Sequence, residues 1–199
     1  MNSCGSTNLA ALSIYKRSLI EAIGRRRSRA WLNRLWSRFI KVRDGYRCSC
    51  CDTTENIQAH HILRKTRCPW AALDLGNGIT LCVACHRKVH DQFNGRPDLL
   101  LPIGPEQGDD QDEWGFLFGV LRDDAVRRGL HEDEFYCLSD GVLEFSNAYQ
   151  GYEEFREAMT REEISRIRFA HEIWRLMPIH FYSNLASELA EHFLLGKAR

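Results

Sequence analysis

Cys48 and Cys51 in "CSCC" and Cys82 and Cys85 in "CVAC" are two thiol pairs, each three positions apart, with about thirty residues between them, the spacing of a four-thiolate zinc site. Tetrahedral closure needs two short knuckles brought together by the chain between them. Cys50 lies between the first two ligands, but the three-residue step favours Cys48 with Cys51. Cys4, Cys68 and Cys137 lack partner spacing and read as free thiols. Zinc is saturated by four ligands, so the neighbouring histidines are left for other chemistry. His60, His61, His86 and His90 make up half of the chain's 8 histidines. His86 and His90, four apart on an expected short helix, share a face and could bind one ion together. A histidine closing a helix is equally explained by its interaction with the dipole. His60 and His61 end the alternating segment "NIQAHHIL", where neighbours on a strand point to opposite faces and so take different roles.

The elements that must position these groups follow from the pattern around them. "GNGITL" offers an Asn-Gly turn at Asn77 and Gly78 leading into a second strand, and "VACHRKVHDQ" follows as a helix. The order is strand, turn, strand, helix. Upstream, Leu9, Leu12, Tyr15, Leu19 and Ile23 give a loose helical repeat with Ile14 out of step. From Ser28 to Arg43 the repeat sharpens: Trp31, Leu32, Leu35, Trp36, Phe39 and Ile40 form an apolar stripe, and both tryptophans are assigned to the core. Arg27, Arg34, Arg38 and Lys41 project from the other side. Downstream, "NGRPDLLLPIGPEQGDDQDE" reads as a linker with a boundary near residue 108. Beyond it the sequence predicts a helix at "WGFLFGVLRDDAVRRGL" and two short strands in "EFYCLSDGVLEFS". A Thr160/Glu163 capping box then opens a helix carrying Ile164, Ile167, Ala170 and Trp174, which Pro178 stops. A last helix carries Tyr182, Leu185, Leu189 and Phe193. The expected fold is α+β in three parts: a basic helical segment over 1–43, a zinc-stabilised core with linker over 44–108, and an acidic, mainly helical module over 109–199.

"YRCSCC", "AHHI", "GNGITLC" and "CHRKVH", in this order and at these intervals, resemble the HNH endonuclease family, whose ββα-metal site is named for its His, Asn, His series. The resemblance covers residues 44–91. It implies a metal-dependent endonuclease, a hydrolase of phosphodiester bonds in DNA, with His61 as the general base that takes a proton from the attacking water. It implies that His60, His86 and His90 hold a catalytic divalent ion, that Asn77 shapes the loop and helps orient His61, and that Cys48, Cys51, Cys82 and Cys85 hold a structural Zn²⁺. Many members carry a carboxylate where this chain has His60. Imidazoles favour transition metals, so Mn²⁺, Co²⁺, Ni²⁺ or Zn²⁺ is expected at the catalytic position ahead of Mg²⁺. Phosphodiester hydrolysis needs a deprotonated water and a cation for the growing charge, and histidine titrates near working pH.

The net charge of zero hides an asymmetry: residues 1–100 hold 17 Lys and Arg against 7 Asp and Glu, and residues 101–199 hold 10 against 20. A basic half usually faces a polyanion. Arg27, Arg34, Arg38, Lys41, Arg64 and Lys65, with "RRRSR" and "LRKTR", are candidates to run along DNA phosphates, with double-stranded DNA expected; the alternative is a solvated helix back. The acidic part is open between a plain helical extension, a protein-docking or homodimer surface, and an anionic cover over the basic half. His131, His171, His180 and His192 are isolated and read as surface or core residues. Without a long apolar run or a charged start with a greasy core, the chain is expected to be cytoplasmic, with no membrane partner. By analogy with the family, defence against foreign DNA in a bacterial or phage setting is the implied role. The rival class is a catalytically silent zinc-binding nucleic-acid-binding or adaptor protein.

Overall fold

The apolar stripe over 29–43 forms helix α2 (Arg29–Arg43), opened by Ser28, whose hydroxyl oxygen accepts from the Trp31 amide. It packs on helix α1 (Leu9–Gly24), where Leu12 and Leu19 are buried and the out-of-step Ile14 is exposed. This computed structural model describes residues 9–138, 152–176 and 179, apart from 92, 94, 99, 100, 102, 103, 131, 137, 166 and 167.

Strands β1 (Ile57–His61) and β2 (Gly78–Cys82) pair antiparallel, with Ile57 opposite Cys82 and His61 opposite Gly78. They are joined by the loop 62–77, which contains a single 3-10 turn at Pro69–Ala71, and not by a two-residue hairpin. Helix α3 (Val83–Val89) follows β2 directly. All of β2 is buried, and α2 crosses it so closely that a Cβ on Gly78 would lie 2.6 Å from both Ile40 and Trp36. Only glycine allows that approach. The outer edge of β2 is closed by the chain after α2: Thr80 donates its amide to Asp44 Oδ2 at 2.7 Å and accepts from the Ser49 amide at 2.9 Å. Arg43 is fully buried beside Asp44 (2.7 Å) and donates to the carbonyls of Leu75 and Gly78, each at 2.6 Å. One guanidinium thus ties α2, the loop and β2 together, and its charge is matched by a carboxylate in the same dry environment.

The acidic part folds onto this frame. Helix α4 (Gln111–Arg127) is capped by Asp110, whose Oδ1 accepts from the amides of Asp112 and Glu113. Helices α5 (Glu132–Phe135) and α6 (Glu153–Thr160) and a helical stretch over 168–176 follow. One cluster of buried side chains runs from Leu12 to Trp174 and draws on all three segments of the chain. The architecture is α+β, and among the described residues no helix is long and apolar enough to cross a membrane.

Two local expectations fail. Thr160 ends α6 instead of capping the next helix: its hydroxyl donates to the Arg156 carbonyl, Glu163 pairs with Arg161 at 2.7 Å, and Glu162 takes a left-handed backbone at φ 59°. The hydroxyl has an acceptor within its own helix, so it does not reach forward. Glu134 and Phe135, placed in a first strand by pattern, are helical, with Phe135 buried against the core. Tyr136, also buried, and Leu138 follow outside any strand; the rest of that strand pair from residue 139, the last helix (Tyr182, Leu185, Leu189, Phe193), Cys4, Cys137, His131, His180 and His192 lie outside the described residues. His171 is a core residue, stacked on Phe118 with ring centroids 4.4 Å apart.

Asp74, in the loop 62–77, gives a first expected result. Burial pushes its carboxyl up to about 7, although its Oδ1 accepts from the Gly76 amide at 3.2 Å. The folded pKa exceeds the unfolded one, so the native state keeps a proton that the unfolded chain releases. The contribution of this carboxyl to stability is therefore greatest in acid and is lost as pH rises through about 7. Asp74→Asn removes the titration and keeps the acceptor. Its melting temperature is expected to exceed that of the native chain at pH 8 by at least about 2–4 °C, the shift that roughly 1 kcal/mol gives at this size, and by less at pH 5. Equal shifts at the two pH values would contradict the assignment.

Candidate metal centres and the histidine cavity

The two CxxC knuckles meet where the chain leaves α2 and where β2 enters α3. Cys48 donates its amide to the Thr53 carbonyl and accepts from the Asp52 amide, both at 2.8 Å, with Asp52 left-handed at φ 60°. Cys82 caps α3, its sulfur accepting from the Cys85 amide at 3.4 Å; that donation pulls the Cys82 thiol down to about 7. The sulfurs of Cys48, Cys51, Cys82 and Cys85 all lie within 4.8 Å of one another, and Cys51 and Cys82 are 3.7 Å apart. A tetrahedron with metal–sulfur bonds of about 2.3 Å has edges of about 3.8 Å. The four cysteines thus fit a metal ion such as zinc, and Cys50 stands exposed outside the group.

His60 and His61 part company as the strand alternation requires. His60 turns toward α3, where its ring meets those of His86 and His90 with centroids 4.9 and 5.1 Å away; His86 and His90 are 4.7 Å apart. One ring nitrogen from each lies within 4.8 Å of the other two. Burial holds His60 well below the usual imidazole range and takes His90 down to about 4, helped by the neighbouring His86 and Arg64. Neutral rings keep the lone pairs that a metal ligand needs. At the end of α3 the His90 amide donates to the Arg87 carbonyl at 3.0 Å and the Asp91 amide to the Lys88 carbonyl at 3.2 Å, while the His90 ring, neutral at physiological pH, lies with the trio and carries no charge for the helix dipole.

His61 packs the other way, stacked on the buried Trp36 at 3.9 Å with the planes 7° apart. Trp36 is itself fixed by donation from its indole N–H to the Asp74 carbonyl at 3.0 Å. His61 Nε2 lies 2.8 Å from the Ala72 carbonyl, which can only accept. Nε2 therefore carries the proton, and the lone pair of the neutral ring is on Nδ1. Burial lowers this imidazole to about 4, partly offset by the Ala72 bond, with Lys65 and Arg29 adding positive charge. Fully buried Asn77 holds the loop that presents Ala72: its Nδ2 donates to the carbonyls of Leu63 (3.1 Å) and Ala71 (3.0 Å), and its Oδ1 accepts from the Leu63 amide (2.8 Å).

A cavity of about 300 Å³ is bordered by His60, His61, Arg64, His90, Asp110 and Glu113. The two acids arrive with the start of α4, so the acidic part of the chain contributes to this wall, as the distribution of charge alone did not reveal. The strap that brings them in is pinned by the buried Arg67–Asp109 pair at 2.7 Å and by Arg64. Arg64, expected on phosphates, is engaged within the chain: it donates to the carbonyls of Gly108, Gly95 and Phe93, lies over the Phe93 ring, and approaches His90 Nδ1 at 3.4 Å. Lys65, Arg27, Arg34 and Arg38 are exposed and Lys41 is half-buried, with Arg38 donating to the Tyr15 hydroxyl at 2.9 Å. Arg29, whose charge bears on His61, belongs to "RRRSR" but stands outside the set of single candidates. Trp31 departs from the core assignment: it is 46% exposed, whereas Trp36 is 1% exposed. Compared with family models, curated proteins and solved structures, the chain gives no match.

Proposed function

We propose that this chain is a metal-dependent endonuclease that hydrolyses phosphodiester bonds in DNA, built on an HNH-like strand, loop, strand, helix unit. The observation that carries the reading is a division of labour between adjacent histidines. His60 joins His86 and His90 in a trio with ligand spacing, while His61, fixed in one tautomer by the Ala72 carbonyl, borders the same cavity. A divalent cation held by His60, His86 and His90 would supply positive charge for the scissile phosphate and its leaving oxygen. His61 is neutral at physiological pH, and its Nδ1 is the atom that would receive a proton from the attacking water. Asn77 acts through the loop, holding the Ala71–Ala72 segment that orients the base. The trio contains only imidazoles, which favours Mn²⁺, Co²⁺, Ni²⁺ or Zn²⁺ over Mg²⁺. Arg29 and Lys65, whose positive charges act on His61, would face a phosphate bound beside it.

The test is cleavage of supercoiled plasmid by the full chain with each divalent metal added in turn. Nicking that appears with Mn²⁺, Co²⁺ or Ni²⁺ and vanishes with chelator is expected. Absence of cleavage with every metal, alongside retained DNA binding, would replace the enzyme with a zinc-containing nucleic-acid adaptor.

A further inference from the structure

Away from the histidines, the first two helices enclose a groove of about 610 Å³, within the size range of small-molecule sites. Trp31 forms one wall and Leu35 and Ala22 line the space beside it, with Arg25 and Arg27 at the helix junction. The Arg34 guanidinium lies 4.9 Å from the centre of the Trp31 ring, a cation–π contact that restrains an indole otherwise half in solvent. Glu21 is the one acid among the lining residues, and it faces Arg25 at 3.7 Å in an exposed pair. The first turn of α2 carries no acidic residue and begins with Arg29. An aromatic wall, flanking guanidinium groups and a helix start free of acids match an anionic ligand with flat apolar faces.

We propose that this groove binds an unpaired stretch of a DNA strand, with Trp31 stacking on a base and Arg27 contacting the adjacent phosphate. The inference rests on the endonuclease reading and deepens it by adding a second contact with the substrate. An indole reaches the face of a base only where that base is out of the duplex stack, so the groove selects frayed, gapped or displaced strand over intact duplex. Trp31 and Trp36 lie on the same helix, about 7.5 Å apart along its axis at 1.5 Å per residue. Trp36 carries His61, so strand held at Trp31 lies on the element that supports the base.

The experiment measures binding of the full chain to a labelled oligothymidine and to a blunt duplex, without added divalent metal, for the native protein and for Trp31→Ala, Trp31→Phe and Arg27→Gln. Circular dichroism confirms that each variant is folded. Trp31→Ala is expected to weaken single-strand binding about tenfold and leave duplex binding within about twofold, and Trp31→Phe to restore most of the loss, since any aromatic face stacks. Arg27→Gln is expected to reduce the slope of log affinity against log salt by about one. The proposal is overturned if the native chain binds no single strand, if Trp31→Ala matches it, if single-strand and duplex affinities fall together, or if Trp31→Phe fails to rescue. Plasmid cleavage is scored in parallel. Cleavage together with single-strand binding that does not depend on Trp31 sinks the groove and leaves the endonuclease, and Trp31-dependent strand binding without cleavage does the reverse.

Discussion

Replacing His61 with alanine is expected to slow the proposed metal-dependent plasmid nicking by roughly 10²–10⁴-fold, the range a positioned general base contributes, while DNA affinity stays within about twofold. The side chain lies against Trp36 and Ala72 and stands apart from the trio, so its loss leaves the ligands of the proposed ion in place. Two readouts separate lost chemistry from a damaged fold. Metal uptake by the variant should match that of the native chain, and added imidazole should recover part of the rate by occupying the space left above Trp36. Nicking by His61→Ala at the native rate would remove His61 from the reaction. Lost uptake together with lost nicking would show that it acts through the metal site instead.

Removing an ion held by the four cysteines is expected to unfold the chain. A four-cysteine zinc site supplies roughly 10–16 kcal/mol of apparent binding free energy, whereas whole domains are stable by about 5–15 kcal/mol. Here the sulfurs join the exit of α2 to the entry of α3, and the same chain segment closes the outer edge of β2 through Asp44 and Ser49. Cys82→Ser, or a strong chelator in mild reductant, should therefore abolish the cooperative melting transition. His86→Ala should leave it within a few degrees, because that ring is only half-buried on α3. Measured metal content paired with thermal denaturation decides the matter. Protein shown to be free of zinc, yet melting as before, would refute a scaffold role for the cysteines.

The candidate ligands were legible because the spacing that coordination geometry demands is local. Two CxxC pairs and an i, i+4 histidine pair announce themselves at short range, and the alternation of a strand separates His60 from His61. The supports of those residues were not legible, because they depend on which distant segments meet. No pattern in the sequence says that Ala72 lends its carbonyl to His61, that Arg64 faces inward toward His90, or that Asp110 and Glu113 border the cavity. The Asn-Gly pair suggested a tight hairpin, but Asn77 instead closes a longer loop by bonding across it to Leu63 and Ala71. Helical periodicity likewise put Trp31 and Trp36 on one stripe. Five residues apart they point about 140° from each other at 100° per residue, and α2 has a buried partner for only one of them.

Gly76 sits in the loop that orients His61, and a Cβ there would lie 2.5 Å from the Tyr136 carbonyl and 2.7 Å from the Trp174 indole. The wall behind that loop is thus made by residues that leave the ribosome long after the histidines do. A nascent chain that has emerged only as far as His90 carries every proposed ligand and the proposed base, yet lacks the side chains that pack against Gly76.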